Sequence, residues 1–239
     1  GAWQPVDLTG VDAIRPVTFS FFPILEIPES EAEMQRLVEA FAAAAEQGLG
    51  VYERTREQLT DLFLAHGLAH GGSFTRLSFH DTMNTTTTRD GAVSVARAEQ
   101  DRLPAVVALS NRGDHHGNER DPEDPPTMRP AALRDLAAAH REGFEVADPA
   151  AVLLNQPYLG SQEIRADGAK FRLLAEDARE ADLALGAVQA EFLREFLLGA
   201  AATEELHEPG TDWITEDREH IDALAYACKR SWDTFRDLQ

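Results

Sequence analysis

The chain has 239 residues, 43% hydrophobic and 27% charged, which is enough to build one large domain with a substantial core. Its 42 acidic and 22 basic side chains give a formal net charge of −20, a field that disfavours binding to nucleic acid or to an anionic membrane surface. No apolar run approaches the roughly 18 residues that a membrane-spanning helix needs, and the first residues lack the pattern of a signal peptide. We therefore expect a single cytoplasmic domain over residues 1–239.

A single cysteine, Cys228, excludes an internal disulfide and any metal site built from several cysteines. A metal in this chain would need histidine and carboxylate ligands.

The N-terminal third alternates between β-rich and helical patterns. Residues 16–22 are a short β-rich run, and the spacing of apolar residues predicts a helix over 29–47 that ends near Gly48 and Gly50. A second helix is predicted over about 52–66. Residues 73–79 alternate apolar and polar side chains, which predicts a strand with His80 at its carboxyl end.

The same alternation continues to the end of the chain and predicts an α/β fold. Such alternation is typical of a three-layer α/β/α architecture, here with a mixed, mainly parallel sheet and polar residues in loops at the strand ends. Strands are predicted over 105–109, 144–147, 152–155 and 183–192, and helices over 130–141, 169–181, 193–198 and 216–238.

Two histidine-bearing segments are candidate metal or proton-transfer sites. His80 follows a predicted strand, where a histidine beside a carboxylate can ligate zinc, although a loop histidine that bonds the backbone is the plainer interpretation. His115 and His116 lie in a glycine-containing loop with Arg112, which can form a bidentate pair with a carboxylate. Adjacent histidines usually diverge, and a flexible surface loop is an equally good interpretation of this segment.

Two further segments carry candidate residues. Asn155 and Tyr158 belong to a turn that follows an apolar strand, where Asn155 can anchor the backbone. Glu191 lies on a mostly apolar strand. Burial of a carboxylate costs several kcal/mol of stability, so a buried carboxylate usually has a bonding partner or a functional role. Glu191 could act as a general base, and a salt bridge to Arg194 is the structural alternative.

In order, these segments resemble the N-formylglutamate amidohydrolase family, a relative of the zinc carboxypeptidases and aspartoacylases. The resemblance covers residues 52–198. It rests on four motifs, which are Leu77-Ser-Phe-His-Asp-Thr-Met83, Asn111-Arg-Gly-Asp-His-His-Gly117, Asn155-Gln-Pro-Tyr-Leu-Gly160 and Ala187-Val-Gln-Ala-Glu-Phe-Leu-Arg194.

The resemblance implies a zinc-dependent hydrolase that cleaves an N-acyl or N-formyl amide of a small carboxylated metabolite. His80 becomes a metal ligand and Glu191 the general base that shuttles the proton. Candidates for shaping the pocket or binding a substrate carboxylate are Arg112, Asn155, Tyr158 and Arg194.

The chain also departs from the family pattern, because Phe22 stands where the first metal-binding histidine is expected. Glu26, His80 and one of His115 or His116 then remain as ligands for Zn²⁺, and such ligands also suit iron or manganese. Two alternatives therefore stay open. One is a family member that binds a metabolite or a partner protein without hydrolysis, and the other is a different metal-dependent reaction.

Overall fold

Four strands form a mixed, mainly parallel sheet in the spatial order β1–β6–β4–β5. The computed structural model describes residues 26, 28–87, 94–208 and 214–239. The sheet strands are β1 (Gly72–Thr82), β4 (Val107–Ser110), β5 (Val152–Leu154) and β6 (Leu183–Leu193), and a separate antiparallel pair consists of β2 (Thr85–Thr87) and β3 (Ser94–Ala96).

The sheet consists of two parallel pairs that run in opposite directions. β6 pairs in parallel with β1 and antiparallel with β4, whereas β4 pairs in parallel with β5. The carboxyl ends of β1 and β6 therefore lie at one end of the sheet, and those of β4 and β5 lie at the other.

Helices cover both faces of this sheet, as a three-layer α/β/α fold requires. Helices α2 and α6 pack on one face, and α1 and α3 pack on the other. The helices are α1 (Glu31–His70), α2 (Pro130–Gly143), α3 (Gln162–Leu173), α4 (Ala175–Glu180), α5 (Arg194–Leu206) and α6 (Arg218–Asp237).

Alternate side chains of β6 lie on opposite faces of the sheet. Val188, Ala190 and Phe192 belong to the larger apolar core, together with residues of α2 and α6. Ala187 lies in the smaller apolar cluster beneath α1 and α3. Beyond this cluster, toward the carboxyl end of β6, Gln189 and Glu191 lie on the same face and form a polar area of sheet.

The structure confirms the α/β class and corrects several predicted boundaries. Helix α1 continues through Gly48 and Gly50, where a break was predicted, and strand β1 extends past His80 to Thr82. The predicted helix over 169–181 is two helices, α3 and α4, and residues 144–147 form no strand. The predicted strand over 16–22, and Phe22 with it, lies outside the described residues. None of the described helices has the length and apolarity to cross a membrane.

Candidate functional site

His80 and Glu191 are register partners on the parallel strands β1 and β6. Register partners on neighbouring strands project to the same face of a sheet, here the face covered by α1 and α3. The side chain of Glu191 is buried, at 6% exposure, and that of His80 is partly buried. Two of the sequence-predicted residues, 111 positions apart in the chain, are thus brought together by strand pairing.

The carboxylate of Glu191 is held by two hydrogen bonds. Thr82 Oγ1 donates to Oε1 at 2.7 Å, and Gln189 Nε2 donates to Oε2 at 3.0 Å. Gln189 Oε1 in turn accepts from the backbone N–H of Ser161 at 2.7 Å, which fixes the amide orientation. No arginine, lysine or histidine of the described residues forms an ion pair with Glu191. The carboxylate is therefore oriented and buried, and no cation among the described residues neutralises it.

The ring of His80 is oriented by its own strand. Ser78 lies two residues earlier on the same face, and a hydrogen bond of 2.8 Å joins Ser78 Oγ to His80 Nε2. Glu163, in the first turn of α3, lies within electrostatic range of His80. Burial acts to raise the pKa of Glu163, but hydrogen bonds from the Ser161 hydroxyl and from its own backbone N–H, with a smaller contribution from His80, hold the pKa below its ordinary value.

Tyr158 and Arg97 border the same area. The turn after β5 crosses the end of β4, where Ser110 Oγ donates to the carbonyl of Tyr158 at 2.8 Å. Burial raises the pKa of Tyr158, and the negative charge of Glu191 adds to this against the opposing guanidinium of Arg97. The phenol therefore stays protonated near neutral pH. Arg97 Nη1 donates a hydrogen bond to the Tyr158 hydroxyl oxygen.

Arg194 does not belong to this group. It donates to Asp81 Oδ1 from Nη2 at 2.6 Å and from Nε at 3.1 Å. Asp81 follows His80 in β1 and so lies on the opposite face of the sheet. The alternative of a salt bridge between Arg194 and Glu191 is therefore not what forms, because Arg194 pairs with Asp81 on the other face from His80.

Asn155 and Arg112 hold loops together at the opposite end of the sheet. The side chain of Asn155 accepts from the backbone N–H of Asn111 and donates to the Asn111 side chain and the Asp114 carbonyl. Arg112 is 13% exposed at its side chain, pairs with Asp124, and donates to the Gly160 carbonyl at 2.7 Å. Both side chains are fully engaged in loop contacts.

His115 and His116 are exposed and contact each other, with ring centroids 3.9 Å apart. Their loop follows β4, which runs antiparallel to β6, so it leaves the sheet at the end away from the carboxyl ends of β1 and β6. None of their described contacts involves His80 or Glu191. Glu26 is exposed, and its neighbours in the chain lie outside the described residues.

The predicted zinc ligands do not converge among the residues that the structure describes. Zinc is usually held by three or four protein ligands. Within the described ranges, no group of three His, Cys, Asp or Glu side chains could hold a metal ion. His80 Nε2 already bonds Ser78, and both oxygens of Glu191 accept hydrogen bonds. The described residues therefore do not fit a three-ligand zinc centre, and the zinc stays a prediction.

Sequence analysis missed several polar members of this site. Gln189 lies within the fourth motif but was assigned no role, and Ser161 and Arg97 lie outside the four motifs. Ser78 lies within the first motif, where it was also assigned no role. Strand alternation with His80 was the signal that could have identified Ser78.

No family model, curated protein or solved structure matches this chain. The resemblance to the N-formylglutamate amidohydrolases therefore depends on the four sequence motifs, and family membership stays a prediction.

Proposed function

We propose that the protein is a hydrolase that cleaves a C–N bond, an amide or an N-formyl or N-acyl bond, of a small carboxylated metabolite. The observation that carries this proposal is the pairing of His80 with Glu191 on one face of the sheet, beside the protonated hydroxyl of Tyr158. A buried carboxylate with an imidazole and a phenol next to it is a set of groups suited to general acid–base catalysis.

In the proposed reaction Glu191 is the general base. It accepts a proton from a water molecule while the water oxygen bonds to the carbonyl carbon, and the Tyr158 hydroxyl donates a hydrogen bond to the carbonyl oxygen. The C–N bond then breaks, and Glu191 returns the proton to the leaving nitrogen. Both hydrogens of the water finish on the released ammonium, and the acyl group leaves as a carboxylate. His80, oriented by Ser78, is positioned to hold the water beside Glu191.

One observation favours a second candidate, a protein that binds such a metabolite without hydrolysing it. The described residues supply an incomplete set of ligands for the metal on which the related hydrolases depend. Under this alternative the polar face of β1 and β6 is a binding surface, and the hydrogen bonds of Glu191 serve to preorganise it.

The full chain, purified without chelator, tests both candidates by release of amine from N-formyl and N-acetyl derivatives of glutamate and aspartate. The proposal expects turnover that Glu191→Gln lowers by about 10²- to 10⁴-fold, the usual contribution of a general base. The matched control is Glu204→Gln, on the exposed surface of α5, which should keep wild-type turnover.

The remaining outcomes decide between the candidates. Calorimetric binding of these compounds without amine release would favour the binding protein. Equal turnover by wild type and Glu191→Gln would show that Glu191 is not the general base. Elemental analysis of the same preparation reports whether zinc, iron or manganese copurifies, and His80→Ala should lose any metal that His80 ligates.

A further inference from the structure

Arg97 is held at the carboxyl end of β1 by three contacts. Its backbone N–H donates to the Asn84 carbonyl at 2.9 Å, and its Nε donates to the Met83 carbonyl at 2.8 Å. Its Nη1 donates to the hydroxyl oxygen of Tyr158. The guanidinium is therefore fixed in orientation, with Nη2 free of hydrogen bonds among the described residues.

Other partly buried arginines around the sheet are neutralised by aspartates. Arg56 and Arg76 pair with Asp167, and Arg112 pairs with Asp124. Arg97 is also partly buried, but it forms no ion pair within the described part of the chain. Within the described residues, Arg97 thus differs from Arg56, Arg76 and Arg112 in having no carboxylate partner, although the chain has 42 acidic side chains.

Tyr158 places this guanidinium close to the candidate site. Its main chain is fixed over β4 by Ser110, and three residues later the N–H of Ser161 bonds Gln189, the neighbour of Glu191. The Tyr158 side chain lies close enough to both Arg97 and Glu191 to feel their charges. Asp101 is a further carboxylate within electrostatic range of Tyr158.

We propose that Arg97, held in place by Tyr158, is the subsite that binds the carboxylate of the substrate and so selects N-acyl amino acids over their neutral derivatives. This inference rests on the proposed hydrolase function and names its substrate class. A guanidinium binds a carboxylate through parallel N–H donors, and Nη1 and Nη2 of Arg97 provide such a pair of donors. The carboxylate would then lie beside the Tyr158 hydroxyl, with the amide directed toward Glu191.

The test measures kcat and KM for N-acetylglutamate and for a neutral counterpart, N-acetylglutamine amide, with four variants. For Arg97→Gln we expect the KM of the anionic substrate to rise about 10- to 100-fold, the usual effect of removing a charge-assisted hydrogen bond, with that of the neutral compound nearly unchanged. Arg97→Lys should recover part of the preference, because lysine keeps the charge but not the planar fork.

Two controls separate this role from a structural one. Tyr158→Phe should lower kcat for both compounds while keeping the preference for the anion. Arg172→Gln, an exposed arginine of α3, should change neither parameter.

Turnover with an unchanged preference in Arg97→Gln would overturn the inference and leave the hydrolase intact. The absence of turnover, with calorimetric binding of N-acetylglutamate that Arg97→Gln abolishes, would overturn the hydrolase and support the subsite. Neither turnover nor binding of N-acetylglutamate by the wild type would overturn both.

Discussion

Asn111 and Asn155 hydrogen-bond to each other through two bonds, both 2.9 Å long. Asn155 Oδ1 accepts from the Asn111 backbone N–H, and Asn155 Nδ2 donates to the Asn111 side-chain oxygen. Asn111 also donates to the carbonyls of Gly117 and Met128. The pair ties the segments after β4 and β5 to each other at the end of the sheet away from the carboxyl ends of β1 and β6.

Replacing Asn155 with alanine should lower stability without changing substrate affinity. The substitution leaves buried polar groups of the Asn111 loop without partners, and a non-glycine residue at φ 53° is strained unless it is asparagine or aspartate. We expect a loss of about 2 to 4 kcal/mol in the free energy of unfolding, measured with urea. Asn118→Ala, on the exposed part of the loop, is the control. A raised KM with unchanged stability would instead show that Asn155 contributes to substrate binding.

Arg194→Ala should leave KM for an anionic substrate unchanged within about twofold. The resemblance to the amidohydrolases implies a raised KM, but the ion pair of Arg194 with Asp81 lies on the other face of the sheet from His80. Both partners are partly exposed, so the stability cost should be at most about 1 kcal/mol. Steady-state kinetics beside the Arg97→Gln variant measure this, and an equal rise of KM in both variants would contradict the assignment of faces.

Asp167→Ala should destabilise the packing of α1 and α3 on the sheet. Asp167 is 1% exposed and lies 2.9 Å from Arg56 of α1 and 3.5 Å from Arg76 of β1. Removing one partner of a buried ion pair costs about 3 to 5 kcal/mol, because the remaining charges lose their compensation.

A second ion pair between the same two helices is the control for Asp167. Lys170 and Asp61 also join α3 to α1, but they lie near the surface, so Asp61→Ala should cost at most about 1 kcal/mol in urea unfolding. Similar losses for both variants would show that burial does not determine the strength of these links.

The stability of the protein should fall as the pH drops from about 6.5 to about 4, in part because of His140. Burial in α2 lowers the pKa of His140 from 6.5 to about 4, against the opposing hydrogen bond to the Leu136 carbonyl. The unfolded chain therefore binds a proton in this range that the folded chain does not. Linkage then costs on the order of 3 kcal/mol once the pH is below both pKa values.

His140→Phe should remove this part of the pH dependence. The ring contacts Phe144, Phe192 and Trp232, so a phenyl group suits the surroundings. Urea unfolding at pH 7 and pH 5 should differ less for the variant than for wild type, whereas His116→Asn, in the exposed loop, should match wild type. An identical difference in all three proteins would refute the assignment.

Strong local patterns predicted most of the elements that build the sheet. The apolar run before Ser110 and the alternation around Glu191 identified β4 and β6, because strand periodicity is encoded in adjacent residues. The glycines of α1 misled the prediction, since each costs a helix only about 1 kcal/mol and a 40-residue helix can absorb that cost.

The assembly of the site was harder to predict, because strand direction is not encoded in local patterns. An all-parallel sheet would bring His115 and His116 to the same end as His80, whereas the antiparallel pairing of β4 with β6 separates them. The expectation that His80 and Glu191 act at one site came from the first and fourth sequence motifs. Arg97 had no such signal, because its position depends on contacts with Met83 and Tyr158, which are distant in sequence.

The central position of β6 also affects the order in which the chain can fold during synthesis. β1 and β4 each pair with β6, and β6 is the last of the sheet strands to leave the ribosome. Until then β1 has no partner in this sheet, and its eleven residues present unpaired backbone groups. Nascent chains halted before Leu183 should therefore recruit chaperones or aggregate. Chaperones should dissociate from the chain once the next few dozen residues have been synthesised.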